Sequence, residues 1–289
     1  MGYFRVVILS LLLASLGFAS AIAAPQLPAF DRVFIVVEEN TDFSSVIGNP
    51  AMPYLNGLIL QYGLATQYYA NTHPSIGNYF MLTTGQIITN NDGYKGTVKA
   101  DNVVRELLAA GKTWKSYEED LPSVGYIQPD VAGYVRHHCP LSYMSDVVNS
   151  QVQRMNLVPF DQFAIDLANN ALPDYSFITP NLCNDGHDCS LGTVDTWLQT
   201  NIDPLIQNPR FQNGDLLIMV FDESENDNSH RGGRVVWVAI SPKFSRLNYW
   251  SKKSYQHQNT LRLMLEGLGV TTYPGKSATA DNMVEFFHQ

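Results

Sequence analysis

The stretch NGDLLIMVFDESEND, residues 213–227, decides the fold class because an apolar run ends abruptly in acidic residues. Every residue from Leu216 to Phe221 is apolar, and Asp222 and Glu223 follow directly. A short continuous apolar run bounded by glycine and acidic residues is typical of a strand buried on both faces, as in a parallel sheet. The segment therefore predicts a central strand with carboxylates at its end.

Segments of the same shape alternate with segments of helical periodicity along the rest of the chain. The other strand-like runs are DRVFIVVEEN (31–40), KTWKSYEED (112–120), DYSFITP (174–180) and GRVVWVAISP (233–242). The helical segments are MPYLNGLILQYG (52–63), NVVRELLAAG (102–111), FDQFAIDLANNAL (160–172), TVDTWLQTNIDPLIQ (193–207) and HQNTLRLMLEGLG (257–269). This alternation predicts an α/β domain with a largely parallel sheet, in which ligands bind outside the carboxyl ends of the strands.

Acidic and amide side chains stand at two of those strand ends. Glu39 and Asn40 follow the first strand, and Asp222 and Glu223 follow the later one. Carboxylates that converge repel each other and raise each other's pKa, and a divalent cation bound by oxygen ligands removes this repulsion. Two unrelated, solvated loop edges are the alternative, and the pattern alone leaves both interpretations open.

A serine heads another helical segment, NTHPSIGNYFMLTTG, residues 71–85. The pattern predicts a helix that begins at or just after Ser75, where the macrodipole and unpaired N–H groups favour a phosphate. Metal coordination is one recognised way to turn such a hydroxyl into a nucleophile. Asn78 lies one turn further on the same face and could donate to a phosphate oxygen. Serine is also a favoured N-cap residue, so a capping role without chemistry stays open.

Five of the seven histidines occur in four polar segments of the chain. RHHCP contains His137 and His138, DGHD contains His187, YQHQ contains His257, and NDNSHRGG contains His230. His187 is flanked by aspartates, and a carboxylate beside an imidazole fixes its tautomer and raises its basicity. None of these segments has the spacing of a helical zinc motif, and His230 is assigned no role. Neither a G-x-S-x-G elbow nor a phosphate-binding glycine loop is present in the sequence.

The N-terminal residues have the composition of an export signal. VVILSLLLASLGFA is followed by the small residues ASAIAA, which predicts a signal peptide over residues 1–24. An uncleaved anchor is the alternative, but the run is shorter than the ~20 residues of a membrane span. We expect a secreted or periplasmic mature chain that forms a single domain over residues 25–289. The net charge of −9 for the full sequence excludes the basic surface of a nucleic-acid-binding protein.

The three cysteines predict one disulfide and one free thiol in an oxidising compartment. Cys183 and Cys189 bracket the loop CNDGHDC and are the preferred pair. A bond from Cys139 to one of them stays open on the sequence alone.

Taken together, these segments resemble one known family. VVEEN, HPSIGNYFMLTTG, RHHCP, NDGHDC, GDLLIMVFDESEND and YQHQNTLRLMLEGLG follow one another in the order seen in the phosphoesterase family. That family contains secreted bacterial and fungal acid phosphatases and the phosphatidylcholine-type phospholipases C. The resemblance implies a three-layer α/β/α fold of the alkaline-phosphatase type with a metal-assisted site for phosphoester hydrolysis.

The resemblance also implies a role for each matching residue. The ligands of one divalent metal ion would be Glu39, Asn40, Asp222 and Glu223. Ser75 would be the nucleophile, and Asn78 and His257 would contact the phosphate. His138 and His187 would bind phosphate or protonate the leaving oxygen. Asp42 stands one place earlier than the aspartate of many family members, so the resemblance assigns it no role.

These residues predict an exported, metal-dependent phosphomonoesterase of the acid phosphatase type that forms a phosphoseryl intermediate on a small phosphorylated substrate. One alternative is a phospholipase C that acts on phospholipid head groups, with YGLATQYYA (62–70) and LNYWSKKSY (247–255) as an approach surface. The other alternative is an inactive exported binding protein with a structural cation. The short chain favours the phosphatase, because phospholipases C of this family usually carry further domains.

Overall fold

The computed structural model describes residues 1–3 and 26–288. The predicted signal peptide, residues 1–24, therefore lies outside the described residues except for the first three. Within the described ranges, none of the helices has the length and apolar character that a membrane crossing requires.

Eight strands and ten α-helices make up the described chain. The strands are β1 (Val33–Glu38), β2 (Gly63–Tyr69), β3 (Trp114–Glu118), β4 (Leu157–Pro159), β5 (Tyr175–Thr179), β6 (Leu216–Phe221), β7 (Trp237–Ile240) and β8 (Tyr249–Gln256). The helices are α1 (Phe43–Val46), α2 (Pro53–Gln61), α3 (Ile76–Thr84), α4 (Val103–Ala109), α5 (Ser145–Val148), α6 (Gln151–Arg154), α7 (Asp161–Ala168), α8 (Leu191–Asn201), α9 (Asp203–Ile206) and α10 (His257–Gly267).

All eight strands belong to one sheet, in the order β4-β3-β5-β1-β6-β7-β2-β8. The strand β7 runs antiparallel to both of its neighbours, and the other pairs are parallel. Every residue of β1, β5 and β6 is buried. Because side chains alternate between the faces of a strand, burial of all of them means that both faces of the sheet are covered. The predicted largely parallel sheet and the three-layer α/β/α arrangement are confirmed.

The helices that cover the sheet form two packed groups. In one group α10 packs against α3 and α4, and in the other α2 packs against α8. The helical segment at residues 193–207 is divided into α8 and α9, because Pro204 lacks the N–H that a continuous helix needs and instead begins the second helix.

The sequence did not predict β2 and β8, the last two strands on one side of the sheet. The segments at residues 62–70 and 247–255, interpreted above as an approach surface for lipid, form β2 and β8, which pair in parallel. β8 ends the sheet, and Trp250, Lys252 and Lys253 are exposed on it. Lysine on an outer strand discourages pairing with another chain, and it also breaks the apolar pattern by which a strand is recognised.

The register of the two central strands positions the candidate site. β1 and β6 are parallel neighbours, and Glu38 is the Cα partner of Phe221. The next residues along the two strands, Glu39 and Asp222, therefore leave the sheet side by side at its carboxyl edge.

Candidate active site

Three carboxylates meet at this edge of the sheet. Glu39, Asp222 and Glu223 each offer one oxygen, and these atoms lie within 4.8 Å of one another. All three residues are buried. In the described part of the chain, the ion-pair partners of these carboxylates are the imidazoles of His73 and His138.

Burial and mutual repulsion shift the pKa values of this cluster in different directions. Burial opposes ionisation of Glu39, but the hydrogen bond and charge of His138 lower its pKa to about 2. Burial, followed by the charges of Glu39 and Glu223, raises the pKa of Asp222 well above its usual range. Burial and the charge of Glu39 raise the pKa of Glu223 to about 8. The cluster therefore opposes its own full ionisation unless a cation is supplied.

The chemistry of the cluster fits a divalent cation. Oxygen ligands at about 2.0–2.6 Å from one ion lie at most about twice that distance apart, which agrees with the spacing of these carboxylates. Glu39 Oε2 and Asp222 Oδ2 are buried without a hydrogen-bond partner, and such an oxygen is costly unless something binds it. Asn40 lies beside the cluster in the left-handed region, with φ 42°, which asparagine tolerates. Its backbone N–H donates to Asp222 Oδ1 over 3.3 Å.

Ser75 reaches the same cluster from the start of α3. Its Oγ–H donates to Glu39 Oε1 at 2.5 Å, and the same Oγ lies 3.3 Å from Glu223 Oε1. Ser75 occupies the N-cap position of α3, but its side chain makes no capping hydrogen bond to the helix. Only 5% of Ser75 is exposed. The hydroxyl is thus held against the carboxylates rather than against its own helix.

The N-terminus of α3 is less open than the sequence predicts. The N–H of Ile76 donates to Asp92 Oδ1 over 3.1 Å, and the N–H of Gly77 donates to the Pro74 carbonyl over 3.3 Å. The expectation that the first-turn N–H groups are unpaired is corrected at these two positions, because the loop after α3 supplies Asp92 and the residue before Ser75 supplies its carbonyl.

Asn78 is completely buried one turn into α3. Its Oδ1 accepts the backbone N–H groups of Asn71 and Thr72, and its Nδ2 donates to the Thr72 carbonyl over 2.9 Å. The Nδ2 also lies 3.4 Å from Glu223 Oε2. Asn78 therefore fixes the loop before Ser75 and directs one donor towards the carboxylates, while its contact with phosphate stays a prediction.

His138 is buried beside Glu39 and is almost completely shielded from solvent. Its Nε2 lies 3.0 Å from Glu39 Oε1, and its Nδ1 lies 3.3 Å from Asp185 Oδ2. The ring stacks on Tyr79 with 4.8 Å between centroids, and only 2% of the residue is exposed. Burial opposes the charge, but the nearby carboxylates of Asp185 and Glu39 raise the pKa of His138 to about 10. This placement suits a buried cation that balances Glu39, not a group that reaches a leaving oxygen.

His257 also has a different position from the one that the resemblance implies. It begins α10, and its Nε2 lies 2.6 Å from the backbone carbonyl of Asp222. Its Nδ1 lies 3.0 Å from the hydroxyl of Tyr68. Burial lowers its pKa to about 4. Both ring nitrogens face other parts of the chain, so His257 holds the main chain at Asp222 in place of the expected contact with phosphate.

His187 is the predicted histidine that faces solvent. Its side chain is 43% exposed, its Nδ1 lies 2.7 Å from Asp188 Oδ1, and it lines a cleft of about 490 Å³ together with Asn40. A disulfide joins Cys183 and Cys189, whose Cα atoms are 4.6 Å apart, and closes the loop that carries His187. Cys139 is buried and free, so the alternative pairing is wrong.

The chain is similar to known proteins in sequence and in fold. The sequence model of the Phosphoesterase family matches residues 49–271. The chain belongs to the phosphoesterase family. Among its relatives, the probable acid phosphatase of Kluyveromyces lactis is 34% identical over 208 residues, which are 68% of this chain and 48% of that protein. The phosphatidylinositol-3-phosphatase of Mycobacterium tuberculosis is 34% identical over 212 residues, 73% of this chain and 69% of that protein.

The chain thus spans about half the length of the Kluyveromyces protein, and the same holds for the acid phosphatase of Aspergillus fumigatus, of which 45% is covered. Solved structures show the fold. A protein of the alkaline phosphatase superfamily from Vibrio parahaemolyticus has a TM-score of 0.61 at 12% identity, over 86% of this chain and 68% of that one. Murine ectonucleotide pyrophosphatase/phosphodiesterase 5 has a TM-score of 0.58 at 12% identity, over 89% and 100%. The expected alkaline-phosphatase-like fold is confirmed.

Sequence reasoning missed two residues that contact the candidate site of this family member. His73 Nδ1 lies 2.8 Å from Glu223 Oε2, and 30% of its side chain is exposed. Asp185 is buried against His138. The available signals were the position of His73 two residues before Ser75 and the acidic flank of His187, but neither signal tells which side chains point inwards.

The structure gives Asp42 a role that the motif left open. Its Oδ1 accepts the backbone N–H groups of Asn226 and Asp227, over 3.0 and 3.2 Å. Asp42 therefore ties the loop after Glu223 to the loop after Glu39, which keeps the two halves of the carboxylate cluster together.

Proposed function

We propose that this phosphoesterase is an exported, metal-dependent phosphomonoesterase of the acid phosphatase type with Ser75 as its nucleophile. The observation that carries the proposal is the position of Ser75 Oγ, 2.5 Å from Glu39 Oε1 and 3.3 Å from Glu223 Oε1. Relatives named acid phosphatase support the substrate class. Export is inferred from the signal-like sequence of residues 1–24.

The residues that would hold one divalent cation are Glu39, Asp222 and Glu223, with Asn40 beside them. When bound, such a cation supplies positive charge that stabilises the transferring phosphoryl group and favours the ionised form of a hydroxyl. His138 offsets the remaining charge of Glu39, and His257 fixes the main chain at Asp222. Both histidines act through the carboxylates rather than on the substrate.

The chain's own groups account for the proton and bond changes. Ser75 gives up its proton towards a carboxylate oxygen of Glu39 or Glu223, and its Oγ forms a bond to phosphorus as the bond to the alcohol breaks. His187 donates a proton to the departing alcohol oxygen. Water then attacks the phosphoseryl group, which releases inorganic phosphate and returns the hydroxyl of Ser75.

The substrate class is tested with p-nitrophenyl phosphate, bis(p-nitrophenyl) phosphate and phosphatidylcholine vesicles. We expect kcat/KM for the monoester to exceed that for the diester by about a hundredfold or more, with no phosphocholine released from vesicles. A preference for the diester or release of phosphocholine would favour a phospholipase C instead. Absence of turnover on all three substrates with metal bound would favour a binding protein.

Removal of divalent metal is expected to abolish activity while the chain stays folded. Dialysis against a chelator leaves the buried carboxylates without compensation, so the melting temperature should also fall. A metal at 100 times its dissociation constant contributes about 2.7 kcal/mol to the free energy of unfolding. Activity, circular dichroism and thermal melting are measured before and after returning Mg²⁺, Ca²⁺, Mn²⁺ or Zn²⁺. Full turnover in a sample shown by elemental analysis to be metal-free would contradict the proposal.

Replacing His187 with asparagine is expected to lower kcat by an amount that depends on the leaving group of the substrate. An alkoxide needs a proton when it departs, whereas p-nitrophenolate hardly does. We expect kcat to fall about a hundredfold for hexyl phosphate and less than about tenfold for p-nitrophenyl phosphate. His288→Asn, at an exposed histidine near the C-terminus, is the matched control. An equal loss on both substrates would exclude His187 as the general acid.

A further inference from the structure

The cleft that His187 lines begins directly beside the carboxylate cluster. Asn40 follows Glu39 in the chain, and Glu225 lies two residues after Glu223; both line the cleft of about 490 Å³. Two of its walls therefore start where the ligand-bearing segments leave the sheet. The backbone N–H of Asn40 donates to Asp222 Oδ1 over 3.3 Å, so we take this cleft as the space for the alcohol part of a phosphate monoester held at Ser75. The volume lies within the usual range of small-molecule sites.

The walls of this cleft are polar, unlike those of most small-molecule sites. The side chains of Asn40, Ser45, His187 and Ser190 contribute amide, hydroxyl and imidazole groups. Leu191 is a half-buried aliphatic residue in the lining. Such groups bond well to alcohol hydroxyls, and they lose hydrogen bonds to water without replacement when an alkyl chain covers them.

The charge of the cleft is also one-sided. Glu225 lines it, and of the residues that the structure describes, neither a lysine nor an arginine is among its lining residues. A second phosphate on the alcohol part would meet the like charge of Glu225, and the lining that the structure describes has neither a lysine nor an arginine to balance it. The lining thus favours hydroxyl groups and disfavours further anions.

We propose, on the basis of the proposed function, that this cleft binds the leaving group and selects polyhydroxylated monophosphates. Sugar and polyol monophosphates are the substrate class, and Asn40, Ser45, His187 and Glu225 are the residues that distinguish them from alkyl phosphates and bisphosphates. The hydroxylated group can belong to a free sugar phosphate or to the head group of a lipid.

The test compares glucose 6-phosphate with n-hexyl phosphate, because both release a primary alcohol and only the first has hydroxyl groups. We expect kcat/KM for glucose 6-phosphate to be about 30-fold higher. Ser45→Leu should reduce this ratio of kcat/KM values about tenfold. Ser45→Asn should reduce the ratio less, because asparagine is nearly the size of leucine but can still form hydrogen bonds. Ser123→Leu, at an exposed serine outside the cleft lining, is the control for surface substitution and should leave the ratio unchanged.

The charge argument is tested with glucose 1,6-bisphosphate. The wild-type protein should hydrolyse glucose 1,6-bisphosphate more slowly than glucose 6-phosphate. Glu225→Gln should reduce the ratio of the two rates by about three- to tenfold. Mixed vesicles of phosphatidylcholine and phosphatidylinositol 4-phosphate provide the lipid source. Turnover of these vesicles above that of glucose 6-phosphate would identify a lipid head group and overturn the selection against a second anion, because the inositol also carries a phosphodiester. The reverse order would identify the free phosphate and support both parts of the inference.

Hydrolysis of p-nitrophenyl phosphate separates failure of this inference from failure of the proposed function. If p-nitrophenyl phosphate is hydrolysed but glucose 6-phosphate and hexyl phosphate react at equal rates, the selection by hydroxyl groups is overturned and the proposed function still holds. Loss of turnover on every substrate would overturn both. Inhibition of p-nitrophenyl phosphate hydrolysis by sorbitol and by 1-hexanol repeats the comparison without any variant, and stronger competitive inhibition by 1-hexanol would also overturn the inference.

Discussion

Replacing Ser75 with alanine is expected to lower kcat for p-nitrophenyl phosphate by about 10⁴-fold, with the fold intact. The substitution deletes the oxygen that lies between Glu39 and Glu223, and with it the atom that forms the bond to phosphorus. The carboxylates remain in place, so the variant should still bind a divalent cation. Stopped-flow and steady-state assays measure the rate, and calorimetric titration with Mn²⁺ measures binding.

A matched variant and a chemical trap complete this test. Ser176 is buried in β5, and its Oγ has no hydrogen-bond partner, so Ser176→Ala should fold and retain activity. Acid quenching of wild type during turnover should leave phosphate on the peptide that contains Ser75, detected by mass spectrometry. Retention of more than about a tenth of kcat by Ser75→Ala, or phosphate found on a histidine, would show that another group is the nucleophile.

Asp222→Asn is expected to have opposite effects on activity and on stability. Activity should fall by about 10³-fold because a charged ligand is lost. The melting temperature of the metal-free protein should rise by roughly 5 °C, because a charge that Glu39 and Glu223 repel is removed. Asp222 Oδ1 accepts the N–H groups of Asn40 and Glu223, and an amide oxygen can keep both bonds. The amide nitrogen would occupy the position of Oδ2, which has no partner.

The pH dependence of this stabilisation has a definite sign. The folded-state pKa of Asp222 is raised above its usual value of 3.8, so the wild-type protein loses stability as the pH rises above that value. The advantage of Asp222→Asn should therefore be small at the acid end of the stable range and larger at neutral pH. Thermal melting in the presence of a chelator, at pH 5 and pH 8, measures it.

Asp195→Asn is the contrasting control. The buried carboxylate of Asp195 accepts the backbone N–H groups of Tyr54 and Leu55 at 2.9 and 2.8 Å, at the start of α2. An amide can accept only through its oxygen, so this variant should be less stable than wild type with or without metal. A lower metal-free melting temperature for Asp222→Asn as well, or a full metal-induced shift in that variant, would contradict the ligand assignment.

The strand patterns predicted more of this site than any single residue did. Apolar runs ending in EEN and DES indicated two buried parallel strands, and ligands collect at the carboxyl edge of such strands. The sequence could not indicate that β1 and β6 are neighbours, because more than 170 residues separate them. Their adjacency depends on how the whole sheet is ordered, with β5 on the other side of β1.

The histidines show where sequence reasoning ended. His138, His187 and His257 occur in similar polar segments, yet one is buried beside Glu39, one is exposed in a cleft, and one holds the carbonyl of Asp222. His73, which contacts Glu223, was not selected at all. Their surroundings come from distant segments, so no local pattern distinguishes them.

The sequence by itself determined the α/β class, the family and the residue types available for phosphate chemistry, because periodicity and strand-end composition are local properties of the chain. Only the tertiary structure decided that the Ser75 side chain faces the carboxylates instead of capping its helix, that His138 is buried beside Glu39 and Asp185, and that His187 lines the open cleft. The physical reason is that hydrogen bonds and charges act over a few ångströms in space, and the groups within that range of Ser75 lie 36 and 148 residues away in the chain.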